Sequence, residues 1–213
     1  KGYKNLITID KKKLDLRDQK SVKKFLKRKK PRAVIIAAAK VGGILANAKF
    51  KDKFIYENLQ IQNNIIHGSY LAGVKNLFLL GSSCIYPKFC KQPMKEKYLL
   101  TGKLEETNDA YSIAKIAGLK MCEYYSKIYN VNFKSLMPPN LYGPNDNYDP
   151  QNSHVLPALI SKFHKAKMTN KKKIRIWGTG RPRREFLFVD DLSAASILIM
   201  NLDKKSYLKK VQP

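Results

Sequence analysis

Short apolar runs alternate with helical stretches along most of this 213-residue chain, and that alternation limits the folds open to it more than any other feature. Leu6–Ile9, Ala33–Ala39, Leu77–Leu80, Phe133–Met137 and Ile174–Trp177 read as strands. Ser21–Lys29, Phe54–Ala72, Ala110–Tyr129, Val155–Lys167 and Val189–Asn201 read as helices. In the first helix Val22, Phe25 and Leu26 share a face. In the second, Phe54, Ile55, Leu59, Ile61, Ile65, Ile66 and Leu71 recur at helical spacing. Leu77–Leu80 carries no charge, as expected of a parallel strand buried on both faces. Strand-helix alternation without internal repeats predicts an α/β fold with a doubly wound parallel sheet.

In such sheets ligands bind beyond the carboxyl ends of the strands. Leu77–Leu80 ends at Gly81-Ser82-Ser83. Two long loops, Cys84–Asp109 and Asn140–His154, also begin directly after predicted strands, and loops of that length in a compact domain usually carry function or are disordered. Downstream, Tyr111-Ser-Ile-Ala-Lys115 places a phenol and an ammonium four residues apart, on one helix face. A free tyrosine titrates near ~10, and a nearby lysine cation is expected to lower that value. A serine hydroxyl could then hold a carbonyl oxygen while the tyrosine gives or takes a proton. This set suits carbonyl-alcohol interconversion with a nicotinamide. Tyr-x-x-x-Lys alone is common on solvated helices; the strand and the serine pair ahead of it give it weight.

The net charge of +26 resembles a nucleic-acid signal, but most of it is lysine spread over Lys11–Lys13, Lys23–Lys30, Lys162–Lys173 and Lys204–Lys210. Those runs read as solvated faces rather than one stripe. Four of the seven arginines, Arg175, Arg181, Arg183 and Arg184, cluster around Trp177, which suits a small anionic ligand as well as a duplex. No run approaches the ~18–20 apolar residues of a membrane span. Cys84, Cys90 and Cys122 lack metal-ligand spacing, so no metal is expected, and a reduced, cytoplasmic chain is the simplest reading.

One expected element is missing. A doubly wound nucleotide-binding domain normally opens with a strand and a Gly-rich loop that holds a pyrophosphate. This chain starts at Lys1, directly before what reads as a second strand, and stops at Pro213. It therefore reads as an internal fragment. Residues 1–150 would be an incomplete dinucleotide-binding domain, and 151–213 an incomplete substrate-binding region.

Several blocks identify a family. The stretches AAAKVGGILAN (37–47), LGSSCIYPKFCKQPM (80–94), NDAYSIAKIAGLKMCE (108–123), PPNLYGPNDNYDPQNSHVLPALI (138–160) and WGTGRPRREFLFVDD (177–191) resemble the GDP-L-fucose synthases, 3,5-epimerase/4-reductases of the extended short-chain dehydrogenase/reductase superfamily. That resemblance implies a Rossmann-like fold, NADP as cofactor, a GDP-sugar substrate and a homodimer in the full-length form, without nucleic-acid or membrane partners. It implies Cys84 as base and His154 as acid for epimerisation, with Ser82, Tyr111 and Lys115 for reduction. Cofactor contacts carry over to Lys11, Ala37, Ala38, Ala39, Leu80, Gly81, Ser82, Ser83, Tyr111, Lys115, Pro138, Pro139, Asn140, Leu141 and His154. Substrate contacts carry over to Asn140, Lys162, Trp177 and Arg184.

Three positions depart from the family pattern. Pro139 stands where a threonine is expected, Phe188 where a histidine is, and Lys162 where an arginine would offer a two-pronged fork. Rival readings are a 4-epimerase or 4,6-dehydratase of the same superfamily, which would not need both Cys84 and His154, a basic nucleic-acid-binding module, and an inactive structural fragment. His67, His164, Cys90 and Cys122 read as packing or surface residues.

Overall fold

The computed structural model describes residues 3–149 and 153–211. Its elements are α1 (Gln19–Lys29), β1 (Ala33–Ile36), α2 (Ile44–Lys49), α3 (Lys51–Leu71), β2 (Asn76–Leu80), α4 (Asp109–Ile128), β3 (Asn132–Leu136), β4 (Asn140–Tyr142), α5 (Val155–Met168), β5 (Phe186–Phe188), α6 (Val189–Asn201) and α7 (Lys204–Val211). The strands β1-β2-β3 form a parallel sheet, with Ala33 paired to Asn76 and Asn76 to Asn132. A second, two-stranded parallel sheet pairs Asn140 with Phe186.

Side-chain alternation divides the main sheet into two faces. Ile36, Leu77, Leu79 and Phe133 pack with Val22 and Leu26 of α1, Ile65 and Ile66 of α3, and Cys122 of α4. On the opposite face Phe78 lies beside Lys134. The Lys134 ammonium, in a side chain only 2% exposed, donates to the carbonyls of Ile199 and Met200 at 2.8 and 3.2 Å and to that of Leu202. A cation is thus buried against the carboxyl end of α6, where the helix leaves carbonyls unpaired and its dipole is negative. Helices cover both faces, as double winding requires.

Local chemistry sets the element ends. Asp18 caps α1, accepting from the amides of Lys20 and Ser21. Lys30 closes the same helix in the left-handed region at φ 44°. Contacts along α3 and α4 run in the same chain direction. Lys51 pairs with Asp109 at 3.0 Å, the rings of Phe54 and Tyr111 meet edge-on at 6.5 Å, and His67 Nδ1 lies 2.8 Å from the Tyr125 hydroxyl. His67 is therefore a packing residue. Cys122 is buried, and its thiol is pushed up to about 12 by desolvation, against a hydrogen bond from Ser135.

Two expected strands are absent. Leu6–Ile9 forms no ladder, and all of its apolar residues are exposed. A strand exists through the neighbour that takes its amides and carbonyls, and no described strand lies beside it. Ile174–Trp177 is irregular, with Ile176 and Trp177 exposed. It has no apolar surface to meet, and the chain turns immediately afterwards at Gly178 and Gly180, both at positive φ. The strand of this region is β5, eight residues beyond Gly178. Ala33–Ala39 is shorter than expected: its ladder ends at Ile36 opposite Leu79, and Ile35 is 54% exposed on the sheet's edge strand. The Cys84–Asp109 loop is not structureless, since it contains two 3-10 turns, Ser83–Ile85 and Glu96–Tyr98. Residues 150–152 of the Asn140–His154 loop lie outside the described residues; its first three residues form β4.

Candidate active site

The carboxyl ends of β2 and β3 are tied together beyond their ladder. Gly81 N donates to Leu136 O at 2.8 Å and Ser83 N to Pro138 O at 3.1 Å. A glycine lets the two strand ends approach closely here. A Cβ at position 81 would sit 2.7 Å from the Met137 sulfur and 3.2 Å from the Leu136 carbonyl oxygen. The chain then enters the 3-10 turn Ser83–Ile85, capped by Ser82, whose Oγ accepts from Cys84 N at 3.3 Å. Ser112, fully buried on α4, donates its hydroxyl to Cys84 O at 2.9 Å. The turn is thereby fastened to the helix one residue past Tyr111.

Lys115 is only 4% exposed, and its ammonium donates to Leu80 O at 2.8 Å. Burial lowers its pKa to about 8. The nitrogen lies 5.7 Å from the centre of the Tyr111 ring. Tyr111 keeps some accessible ring area, but its hydroxyl is desolvated, and this raises its pKa. The neighbouring Cys84 raises it further, while the Ser82 hydroxyl, within hydrogen-bonding reach, opposes the rise. The lysine was expected to lower the tyrosine. In this structure desolvation prevails, and the ammonium is committed to a backbone carbonyl. Burial therefore favours the protonated phenol over the phenolate.

Ser82, Cys84, Tyr111 and Lys115 thus share one region at the carboxyl end of β2, with Leu80, Gly81 and Ser83 forming its backbone. Past β1, Ala37 and Ala38 are exposed and Ala39 is half-buried. Their continuation is pinned by Asn58, a residue the sequence reading did not single out. Asn58 Oδ1 accepts from Lys40 N at 2.8 Å, and its Nδ2 donates to Lys40 O at 3.0 Å. Glu57 pairs with both Lys40 and Arg17, each at 3.3 Å. Lys11 lies in an exposed turn ahead of these groups. Pro138 is buried, and Pro139, Asn140 and Leu141 are half-buried at the end of β3 and the start of β4. Asn140 Nδ2 donates to Glu185 O at 3.2 Å. A proline at 139 leaves the β4–β5 ladder intact, since that ladder starts at Asn140.

The other predicted residues are not drawn in. His154 is exposed at the amino cap of α5, and among the described residues no hydrogen bond joins it to Cys84. Trp177 is 70% exposed. Lys162 sits 5.9 Å from the Trp177 ring and donates to Arg175 O at 2.8 Å. Arg184 is exposed, its guanidinium meeting Arg183 O at 2.7 Å. Between β4, β5 and α5 lies a cavity of about 250 Å³ bordered by Tyr142, Tyr148, Leu156 and Phe188. Besides Asn58, the sequence reading missed Ser112 and Gln62, buried polar residues on the inner faces of α4 and α3. A polar residue at a core-facing position of an amphipathic helix was the available signal. Among the described residues no three His, Cys, Asp or Glu side chains gather as a metal cage would need. No described helix is long and apolar enough to cross a membrane.

The chain is similar to proteins of known type. It is 49% identical over its whole length to the GDP-L-fucose synthase of Escherichia coli strain K12. It is 54% identical over 92% of its length to that of Sinorhizobium fredii. It spans 66% and 62% of these two relatives. Among solved structures, a Campylobacter jejuni protein described as a GDP-D-glycero-L-gluco-heptose synthase in the presence of NADPH superposes with a TM-score of 0.90. That match is 40% identical and covers 99% of this chain and 71% of the other. The family model for the NAD dependent epimerase/dehydratase family matches residues 1–208. With parallel strands wound on both faces and a Ser-Tyr-Lys set at their carboxyl ends, this chain belongs to the NAD dependent epimerase/dehydratase family.

Proposed function

We propose that the full-length protein converts GDP-4-keto-6-deoxy-D-mannose to GDP-L-fucose, by epimerisation at C3 and C5 followed by reduction at C4 with NADPH. The observation that carries this reading is the turn after β2. It sets a thiol and a hydroxyl, Cys84 and Ser82, beside a tyrosine kept protonated, with a buried ammonium behind it. The C4 ketone acidifies the C–H bonds at C3 and C5. Cys84, as thiolate, would remove one of those protons while His154 returns one from the opposite side; the thiol then gives its proton to solvent and His154 regains one before the second carbon is inverted, so the net proton count is unchanged. The Ser82 hydroxyl oxygen accepts the Cys84 amide, and its hydrogen, within reach of the Tyr111 oxygen in this structure, would turn to the ketone oxygen when substrate binds. Tyr111 delivers its proton to that same oxygen as the alcohol forms. NADPH supplies the hydride when bound.

The residues present fit the nicotinamide end of such a cofactor. Ala37–Ala39 carry only methyl groups at a strand end, Lys115 puts a buried cation at the next strand end, and Pro138–Leu141 border the third. Lys11 would meet the 2′-phosphate of NADPH. Residues 1–150 form the cofactor side, and 151–213 the nucleotide-sugar side, with α6 and α7 returning to the sheet through Lys134. There Trp177 packs against a ligand ring, while Arg184, Lys162 and Asn140 take the diphosphate and sugar. The chain's near-50% identity to two GDP-L-fucose synthases supports this substrate. A homodimer located in the cytoplasm, with no nucleic-acid partner, completes the reading.

A second reading, a GDP-sugar C4 reductase without epimerase activity, is favoured by the exposure of His154 and its lack of a described contact with Cys84. The full-length protein, incubated with the 4-keto sugar and NADPH in D2O, separates the two. The expected product carries deuterium at C3 and C5. Cys84→Ser should stop that exchange while a pre-epimerised ketone is still reduced. Reduction without exchange in the wild type would assign the reductase alone.

A further inference from the structure

Gln62 is 2% exposed at the centre of α3. Its Nε2 donates to the carbonyl of Ala114 in α4. That carbonyl lies between the two groups on which the chemistry depends, three residues after Tyr111 and one before Lys115. A helix offers the same carbonyl to the amide four residues on, at Gly118. Gly118 is buried, and a Cβ there would overlap the Gln62 amide. The two helices therefore meet through a side-chain amide lodged against a glycine. Leucine would fill such a site without the cost of burying a polar group, so packing alone does not account for glutamine here.

The site depends on where α4 stops along its axis. Lys115 must reach Leu80 O, and Tyr111 must reach Ser82, from successive turns of one rigid helix. Apolar contacts slide easily, because dispersion has little directionality, whereas a hydrogen bond to a fixed carbonyl does not. The other contacts between these helices are an ion pair at Lys51–Asp109, an edge-on ring contact at Phe54–Tyr111 and, ten residues beyond Lys115, the hydrogen bond between His67 and the Tyr125 hydroxyl; the Gln62 bond is the directional one that falls between Tyr111 and Lys115. We propose that Gln62 is a positioning residue: by holding the Ala114 carbonyl against Gly118, it fixes the axial register of α4 and so places Tyr111 and Lys115. The kinetic part of this proposal rests on the reductase reading above; the placement of Lys115 does not.

The test uses the full-length protein and Gln62→Met, which keeps length and apolar packing but removes the donor. Three readouts are taken: reduction kinetics, melting temperature, and the rate at which trinitrobenzenesulfonate modifies Lys115 at pH 10.5, where the reactive neutral amine is well populated whether the side chain is buried or exposed, followed by mass spectrometry. The expected result is a kcat lower by roughly 10²-fold, the scale of an ångström-sized misplacement, with KM for the GDP-sugar within about twofold. Lys115 modification should rise about tenfold, as the side-chain nitrogen loses Leu80 O and becomes accessible. A second variant, Gly118→Ala with Gln62→Ser, places a Cβ at 118 without the overlap and without the bond; it should keep the melting temperature near that of wild type but not kcat. If Gln62→Met leaves both kcat and Lys115 modification within twofold of wild type, or if the double variant recovers kcat, Gln62 only fills space and the proposal falls. If the wild type does not reduce the keto sugar but Gln62→Met still exposes Lys115, the proposed function fails while the positioning role stands.

Discussion

Lys115 and Trp177 stand in regions built on opposite plans. Lys115 is almost completely buried, its nitrogen fixed to a strand-end carbonyl, its helix fastened by Ser112 to the turn that carries Ser82 and Cys84. Trp177 and Arg184 stand on an irregular segment between α5 and β5, exposed and held by little more than Lys162 and a neighbouring carbonyl. On the proposed reading Tyr111 and Lys115 move protons, which requires placement to within a fraction of an ångström, and buried polar bonds lock the helix and strand ends that carry them. On the same proposed reading Trp177 and Arg184 recognise a ligand by stacking and charge, which tolerates looser placement on a loop.

The sharpest way to break this contrast is to remove the buried groups. Tyr111→Phe and Lys115→Met in the full-length protein should each lower the rate of C4 reduction on the order of 10³-fold, within the usual span for a lost acid-base group. NADPH oxidation at 340 nm measures it. A loss under tenfold for Tyr111→Phe would mean that another group donates the proton.

The exposed region should respond differently. Trp177→Ala and Arg184→Ala are each expected to raise KM for the GDP-sugar about tenfold, the scale of one lost stacking or charge-assisted contact. Both should leave kcat within about threefold and the melting temperature unchanged. A drop of several degrees in either variant would show that the loop is packed more firmly than its exposure indicates.

The smallest effect sharpens the contrast through pH. Lys115 has a lower pKa folded, about 8, than its ordinary 10.5. Between those values the unfolded chain holds a proton that the folded chain has released. The contribution of this group to stability therefore grows as pH rises through that window. Reduction should decline over the same range, because the ammonium is lost. Above pH 9 the buried Cys122 opposes the stability gain, since its thiol stays protonated when folded. Paired series of melting temperature and kcat from pH 7 to 9 should thus diverge for wild type and run in parallel for Lys115→Met. Parallel trends in the wild type would place the ammonium's loss elsewhere.

The contrast also separates what the sequence could show from what it could not. Helix α6 is read to the residue, and β2 and β3 to within one, because apolar periodicity and short apolar runs announce buried elements, even in β3, where the run is interrupted by Lys134. The grouping of Ser82 with Tyr111 and Lys115 was legible for the same reason: a strand end and an i, i+4 pair have fixed geometry. Leu6–Ile9 and Ile174–Trp177 misled, because an apolar tetrapeptide is a strand only when another strand lies beside it, and pairing is not a local property. The direction of the Tyr111 shift was missed because the contest between burial and a nearby cation depends on where the lysine nitrogen points. Gln62, Asn58 and Ser112 carry no motif. Their importance lies in which carbonyl or amide each one meets.

The all-parallel pairing also dictates an order of assembly. Among the described strands the ladder runs from Ala33 to Asn76 and from Asn76 to Asn132, each step across a helical crossover. No strand in this sheet can form a hairpin with its sequence neighbour, so α3 and α4 must be in place to carry the chain back over the sheet. As the chain leaves the ribosome, β1 and β2 are left with apolar flanks until each crossover closes. Helices α3 and α4 are thus the shields of a slowly closing, non-local sheet.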